Sequence, residues 1–250
     1  MPTTLITGAS SGLGAEMARQ FAAKGHDLAL CARRTDRLEE LKAEIATASP
    51  GRRVEVRALD VNDDDAVFAV FKAFQGDFRT IDKIVINAGL GKGAPIGTGG
   101  YAANRETAMT NFVAALAQTE AAMEIFRAQE RGQLVMISSM SAMRGMPKMM
   151  TTYAATKAGV AHLVEGLRTE LHGTGLDIKI TVLYPGYIAS EMNDAVADSA
   201  PLMASTEKGV KSMVAAIEAE KAEAHVPALP WAPLSVVMKH APLPVLKRML

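Results

Sequence analysis

The chain opens with a short β-prone run, Thr3-Thr-Leu-Ile-Thr7, that passes directly into Gly8-Ala-Ser-Ser-Gly12-Leu-Gly14. A helical pattern begins at once, with Leu13, Met17 and Phe21 at i, i+4 and i+8. Strand, glycine turn and helix in that order aim backbone N–H groups and a helix N-terminus at a phosphate. Gly8 suits the tight turn, Gly12 the close approach of a diphosphate, and Gly14 the packing of helix on strand.

The alternation continues along the chain. The patterns predict strands near 3–7, 27–32, 54–58, 83–87, 133–138 and 178–184, and helices near 12–24, 35–48, 63–75, 101–129, 151–173 and 206–222. Such alternation implies an α/β fold, a doubly wound parallel sheet with helices on both faces. No repeat or low-complexity linker divides the 250 residues, so a single domain is expected. Residues 1–225 would form the Rossmann-type body, with 226–250 as a proline-rich apolar tail of the same domain. Lys plus Arg equals Asp plus Glu, 27 each, which argues against a nucleic-acid surface. The single Cys31 cannot form an internal disulfide. No basic, apolar leader precedes the first strand and no apolar run nears the roughly 20 residues of a membrane span, so the expected setting is cytoplasmic. Asp63-Asp-Asp65 reads as a helix start, and the five histidines lack metal-site spacing, so no metal is expected.

Tyr153-Ala-Ala-Thr-Lys157 carries chemistry. On a helix, positions i and i+4 share a face, and an ammonium there favours the tyrosinate. An ordinary Tyr pKa of about 10 must fall by roughly 3 for work near pH 7, which is about 4 kcal/mol. A unit charge about 4 Å away at an effective dielectric of about 20 supplies about 4 kcal/mol. Tyr153 is therefore a candidate general acid or base.

These motifs together resemble the short-chain dehydrogenase/reductase family. Thr7-Gly8-x-x-x-Gly12-x-Gly14 matches that family's form of the dinucleotide fingerprint. Asp60-Val61, Asn87-Ala88-Gly89, Asn111, Ser138-Ser139, Tyr153/Lys157 and Pro185-Gly186 follow in the family's order, over nearly the whole chain. The resemblance implies an oxidoreductase interconverting a ketone or aldehyde and an alcohol by hydride transfer, with a nicotinamide cofactor. It implies contacts from Gly8, Ser10, Ser11, Gly12, Leu13 and Gly14 in the glycine loop. Asp60 would hold the adenine amino group with Val61 packed on the ring. Asn87, Ala88 and Gly89 would lie along the cofactor, and Pro185, Gly186 and Ile188 against the nicotinamide. It further implies a catalytic set in which Ser139 binds the carbonyl oxygen and Tyr153 delivers the proton. Lys157 would lower the Tyr pKa and hold the ribose, and Asn111 would position a relay water. Ser139 lies 14 residues before Tyr153, where 13 is more usual, and Ser138 and Ser141 compete for its role. Pro147, eight positions after Ser139, favours that serine.

The second strand ends at Ala32 and is followed by Arg33-Arg34, where an NAD-preferring site would place a carboxylate. Guanidiniums there suit a 2′-phosphate. NADP(H) is therefore the expected cofactor, with Arg33 the leading contact. Met140, Met143, Met146, Met149, Met150, Met192 and Met203 suggest a pocket for a lipophilic carbonyl substrate. Residues 187–212 would form a substrate lid. The apolar tail with Lys239, His240, Lys247 and Arg248 fits packing over the pocket, a subunit interface or peripheral membrane contact. A homodimer or homotetramer is expected from the resemblance, and an alanine face (Ala114, Ala115, Ala121, Ala122) offers close approach between subunits. The alternative to an enzyme is a catalytically silent NADP(H)-binding regulator on the same fold.

Overall fold

The computed structural model describes residues 1–189, 191 and 203–249. Its strands are β1 (Thr3–Thr7), β2 (Asp27–Ala32), β3 (Val54–Ala58), β4 (Lys83–Ile86), β5 (Arg131–Ile137), β6 (Asp177–Pro185) and β7 (Glu223–Val226). All pair in parallel, in the order β3-β2-β1-β4-β5-β6-β7. The central strands are near-continuous apolar runs, Leu5-Ile6, Ile84-Val85-Ile86 and Leu134-Val135-Met136-Ile137, because both sheet faces are covered. Leu5 pairs with Ala29 on one side and Ile84 on the other, and its side chain points into one of two cores.

The helices are α1 (Gly12–Ala23), α2 (Thr35–Ala48), α3 (Asp64–Phe78), α4 (Tyr101–Ala108), α5 (Ala114–Gln129), α6 (Met150–Leu171), α7 (Thr206–Glu218), α8 (Ala228–His240) and α9 (Leu243–Met249). One core joins the sheet to α3, α5, α6 and α8 through Phe71, Phe74, Phe126, Val164 and Trp231. The other joins it to α1, α2 and α7 through Met17, Phe21, Leu38 and Met213. The acidic run does start a helix: Asp63 caps α3, accepting from the Ala66 N–H at 3.0 Å. Strand order reverses between β1 and β4, which opens a crevice at their carboxyl ends.

The structure corrects the expected layout in several places. The sheet gains β7, a four-residue strand at its edge. The helix expected over 101–129 is broken by a π-helical turn, Met109–Val113, centred on Asn111. The tail folds as α8 and α9, with Pro233 inside α8. Its Trp231, Ser235 and Met238 turn inward, while Leu229, Val236 and Val237 face outward. The four alanines of α5 are buried in the chain's own core, so their small size lets α5 approach the sheet. The outward apolar residues there are Phe112, Val113 and Leu116. Of the expected lid, Ser190 and residues 192–202, Met192 included, lie outside the described residues, and its end belongs to α7. No helix among the described residues is long and apolar enough to cross a membrane.

Candidate active site

The glycine loop lies at the crevice. Gly8 has φ +65, a left-handed conformation that costs a glycine little. Gly14 is pressed so closely that a Cβ would stand 2.4 Å from the Gly8 carbonyl oxygen. Ser11 is the N-cap of α1 but its side chain caps nothing, and the first turn of α1 holds no acidic residue. The positive end of the helix thus faces the crevice with no carboxylate of its own first turn against it, which suits a diphosphate. Leu13 packs half-buried on the second core. The Asn87 side chain donates to the carbonyls of Thr7 at 2.9 Å and Gly8 at 3.3 Å. The Thr7 hydroxyl accepts from the N–H groups of Asn87 and Ala88. Thr7, counted in the fingerprint for its spacing alone, therefore ties the glycine turn to the end of β4.

At the strand end, Arg34 engages the glycine loop and Arg33 does not. Arg34 donates to the hydroxyls of Ser11 at 2.6 Å and Ser10 at 3.3 Å, and to Glu191 at 3.1 Å. Arg37, one turn along α2, donates to the same Glu191 carboxylate. Arg33 is exposed and carries no side-chain hydrogen bond among the described residues. Asp60 is exposed and accepts from both the backbone and the side chain of Asn62 at 3.0 Å, while Val61 is buried. Asn62 in turn accepts from the Thr110 hydroxyl in the π-helical turn.

A polar ladder fastens the loop after β4. Asn111 accepts from the Leu90 N–H at 2.7 Å and donates to the Leu90 carbonyl at 2.8 Å. Asn104 grips Ala94 in the same two-point way, both bonds 3.0 Å, and the Thr107 hydroxyl donates to the Lys92 carbonyl at 2.6 Å. Residues 104, 107 and 111 are spaced as one helix face, a polar i, i+3, i+7 pattern visible in the sequence but not read there. Gly89 sits between the ladder and the lysine: a Cβ there would lie 3.2 Å from Asn111 Oδ1 and 3.6 Å from Lys157 Nζ.

The three serines have different partners. Ser138 is buried and donates to the Lys157 carbonyl at 2.7 Å. Ser139, extended at φ −167, caps a 3₁₀ turn (Met140–Met143) by accepting from the Ser141 N–H, and its hydroxyl acts on the Tyr153 phenol. The Ser141 hydroxyl is buried without a partner among the described residues. Lys157 is 6% exposed and donates from Nζ to the Ile137 carbonyl at 2.8 Å. Its ammonium stands 5.8 Å from the centre of the Tyr153 ring.

Burial changes the expected electrostatics. Burial pushes the Tyr153 phenol above its ordinary value, the Ser139 hydrogen bond holds it down in part, and neighbouring Tyr187 adds to the rise. Burial also lowers Lys157 to about 8. The downward Tyr shift expected from the lysine is not what the fold produces, because burial is the largest influence on the phenol.

Pro185 ends β6, and Gly186 follows against Trp231, whose Cε2 would stand 2.0 Å from a Cβ. Trp231 meets Tyr187 edge-on at 5.8 Å between ring centres. Ile188 is buried and bridges to Ala204. An open cavity of about 410 Å³, lined mostly by apolar surface from Pro95, Ile96, Tyr101, Ala108 and Thr152, adjoins the start of α6. A hollow of about 460 Å³ between α3 and α5, with Phe68, Lys72 and Glu124 in its wall, holds none of these candidate residues.

Residues 2–201 match the family model described as short chain dehydrogenase. An uncharacterized oxidoreductase of Mycobacterium tuberculosis is 52% identical over 234 residues, covering 94% of this chain and 91% of that protein. The 11-beta-hydroxysteroid dehydrogenase 1A of Arabidopsis thaliana is 36% identical over 189 residues, 75% of this chain and 52% of that protein. The solved short-chain dehydrogenase of Sphingobium yanoikuyae in complex with NADPH superposes with a TM-score of 0.82 at 28% identity, covering 95% of this chain and 93% of that one. With its parallel sheet, its glycine loop and its serine, tyrosine and lysine gathered in one corner, the chain belongs to the short-chain dehydrogenase/reductase family of oxidoreductases.

Proposed function

We propose that the protein is an NADP(H)-dependent reductase of a lipophilic ketone or aldehyde, with Tyr153 as the proton donor. The observation that carries the reading is the meeting of Ser139, whose hydroxyl holds the Tyr153 phenol down in part, with Tyr153 and buried Lys157 at the carboxyl end of β5. The residues present fit a nicotinamide dinucleotide. Gly8, Gly12 and Gly14 with the open N-terminus of α1 would seat the diphosphate, and Asp60 and Val61 the adenine. Asn87, Ala88 and Gly89 would line the cofactor, and Pro185, Gly186 and Ile188 would back the nicotinamide. Arg34 replaces Arg33 as the proposed 2′-phosphate ligand, because its guanidinium already engages both loop serines.

When bound, the nicotinamide supplies the hydride that the carbonyl carbon receives. Ser139 donates a hydrogen bond to the carbonyl oxygen and Tyr153 transfers its phenolic proton there as negative charge develops. Lys157 would hold the ribose hydroxyls, and its positive charge favours the tyrosinate left behind. Asn111 fixes the backbone beside it through Leu90. A phenol held above its ordinary value is fully protonated near pH 7, which suits reduction. The apolar wall of Ile96, Pro95 and Tyr101 supports a lipophilic substrate. So do Met143 and Met146, half-buried against the core, and the likeness to a hydroxysteroid dehydrogenase. Self-association is proposed through the outward Phe112, Val113 and Leu116, and light scattering tests it.

The test of function is oxidation of NADPH and NADH with small, acyl-chain and steroidal ketones, beside Tyr153→Phe. NADPH-dependent turnover that disappears in Tyr153→Phe is expected. Tight NADPH binding, with wild type and mutant alike failing to turn over any ketone, would favour the silent regulator.

A further inference from the structure

One carboxylate lies where the proposed cofactor needs an anion. Glu191 accepts from Arg34 at 3.1 Å and from Arg37 through its other oxygen, while Arg34 is held by Ser11 and Ser10. Two guanidiniums therefore converge on a single negative group, with the loop hydroxyls holding one of them in place. Arg34 and Arg37 are three residues apart at the start of α2, so both point to one side. Their side chains are 42% and 43% exposed and that of Glu191 51%, so a ligand from solvent can reach the cluster. Carboxylate and phosphate oxygens accept from guanidinium in the same way.

The geometry points to Glu191 as an internal competitor for the ribose 2′-phosphate, which occupies Arg34 and Arg37 until NADP(H) displaces it. This inference rests on the NADP(H) reading above, and it adds Arg37 to the proposed phosphate ligands. NADP(H) must separate the Glu191 carboxylate from both arginines before its own phosphate binds. NAD(H) has no group that claims them and meets no such competition. The apparent affinity for NADP(H) is reduced by the fraction of molecules in which Glu191 holds the pair. Glu191 thus narrows the preference for the phosphorylated cofactor that the arginines create.

The experiment is equilibrium titration of the full chain and its Glu191→Gln and Arg37→Gln variants with NADPH and NADH, read by quenching of the single tryptophan, Trp231. Glu191→Gln is expected to tighten NADPH about threefold to fivefold, the upper part of what an exposed ion pair supplies, and to leave NADH unchanged. Arg37→Gln is expected to weaken NADPH alone. An unchanged or weaker NADPH affinity in Glu191→Gln overturns the competition. Equal tightening of both cofactors overturns it too, since that would set Glu191 against their shared adenosine. If the wild type itself prefers NADH, the cofactor reading fails and this inference with it.

Discussion

Asn111 holds Leu90 by both of its backbone polar groups, accepting at 2.7 Å and donating at 2.8 Å. The amide is 2% exposed, so water cannot replace either bond cheaply. Asn111→Leu is expected to strand the Leu90 N–H and carbonyl and to cost about 2–4 kcal/mol in urea denaturation. Asn111→Asp keeps the acceptor and should fall between the two. Equal stability of all three proteins would refute the clamp.

The three serines should separate by assay. Ser138→Ala removes the bond to the Lys157 carbonyl and is expected to lower stability by about 1–2 kcal/mol. Ser139→Ala is expected to cut kcat by at least about a hundredfold with a smaller effect on the unfolding midpoint. Ser141→Ala removes a hydroxyl with no partner among the described residues and should leave stability nearly unchanged. Loss of activity in Ser141→Ala but not Ser139→Ala would transfer the catalytic role.

Lys157 sits at about 8 in the fold against an ordinary 10.5. Between those values the unfolded chain binds a proton the folded chain lacks, so stability rises as pH climbs from about 8 to 10.5. Below that window the full cost is present, on the order of 3 kcal/mol. In Lys157→Met this rise should flatten while turnover disappears, as thermal unfolding across pH would show. Because Tyr153 is also raised, carbonyl reduction should be level near neutrality, and alcohol oxidation should keep increasing toward alkaline pH.

Acid should act at the opposite end of the sheet. His26 is 3% exposed, hydrogen-bonded to Thr4 at 2.8 Å, and lowered by burial, with Glu218 opposing and Lys83 assisting. The fold favours the neutral ring, so stability is lost as pH falls below the ordinary 6.5. His225, stacked on Tyr184 and also lowered by burial, adds in the same direction. Replacing His26 with Gln should flatten the decline of the unfolding midpoint between about pH 7 and 5. An undiminished decline would locate the acid sensitivity elsewhere.

The readable parts of the sequence are those with strong periodicity or a fixed covalent spacing. Buried parallel strands announce themselves as apolar runs, and the tyrosine and lysine face one way because a helix fixes i and i+4. Strand β7 escapes notice because Glu223-Ala-His-Val226 is short, half-polar and followed by proline. The π-helical turn is hidden because Met109-Thr-Asn-Phe-Val113 carries no glycine or proline to mark a break in the helix. Adjacent Arg33 and Arg34 are equivalent in composition, and only the turn out of β2 decides which one meets the serines. The tail's prolines suggest interruption, yet a proline that opens or bends a helix does not prevent Trp231 and Met238 from reaching the core. The tyrosine pKa moves against expectation for a different reason: spacing gives direction along a helix, but neither burial nor the rotamer that sends Lys157 to Ile137.

The central place of β1 has a consequence for synthesis. Its neighbours β2 and β4 emerge in that order, with β3 between them, so the first three strands can pair while β4 is still inside the ribosome. Until then the flank of Leu5-Ile6 that will meet Ile84-Val85 is a bare, apolar strand edge. The growing chain therefore offers that edge to mispairing and chaperone capture until residue 86 is released.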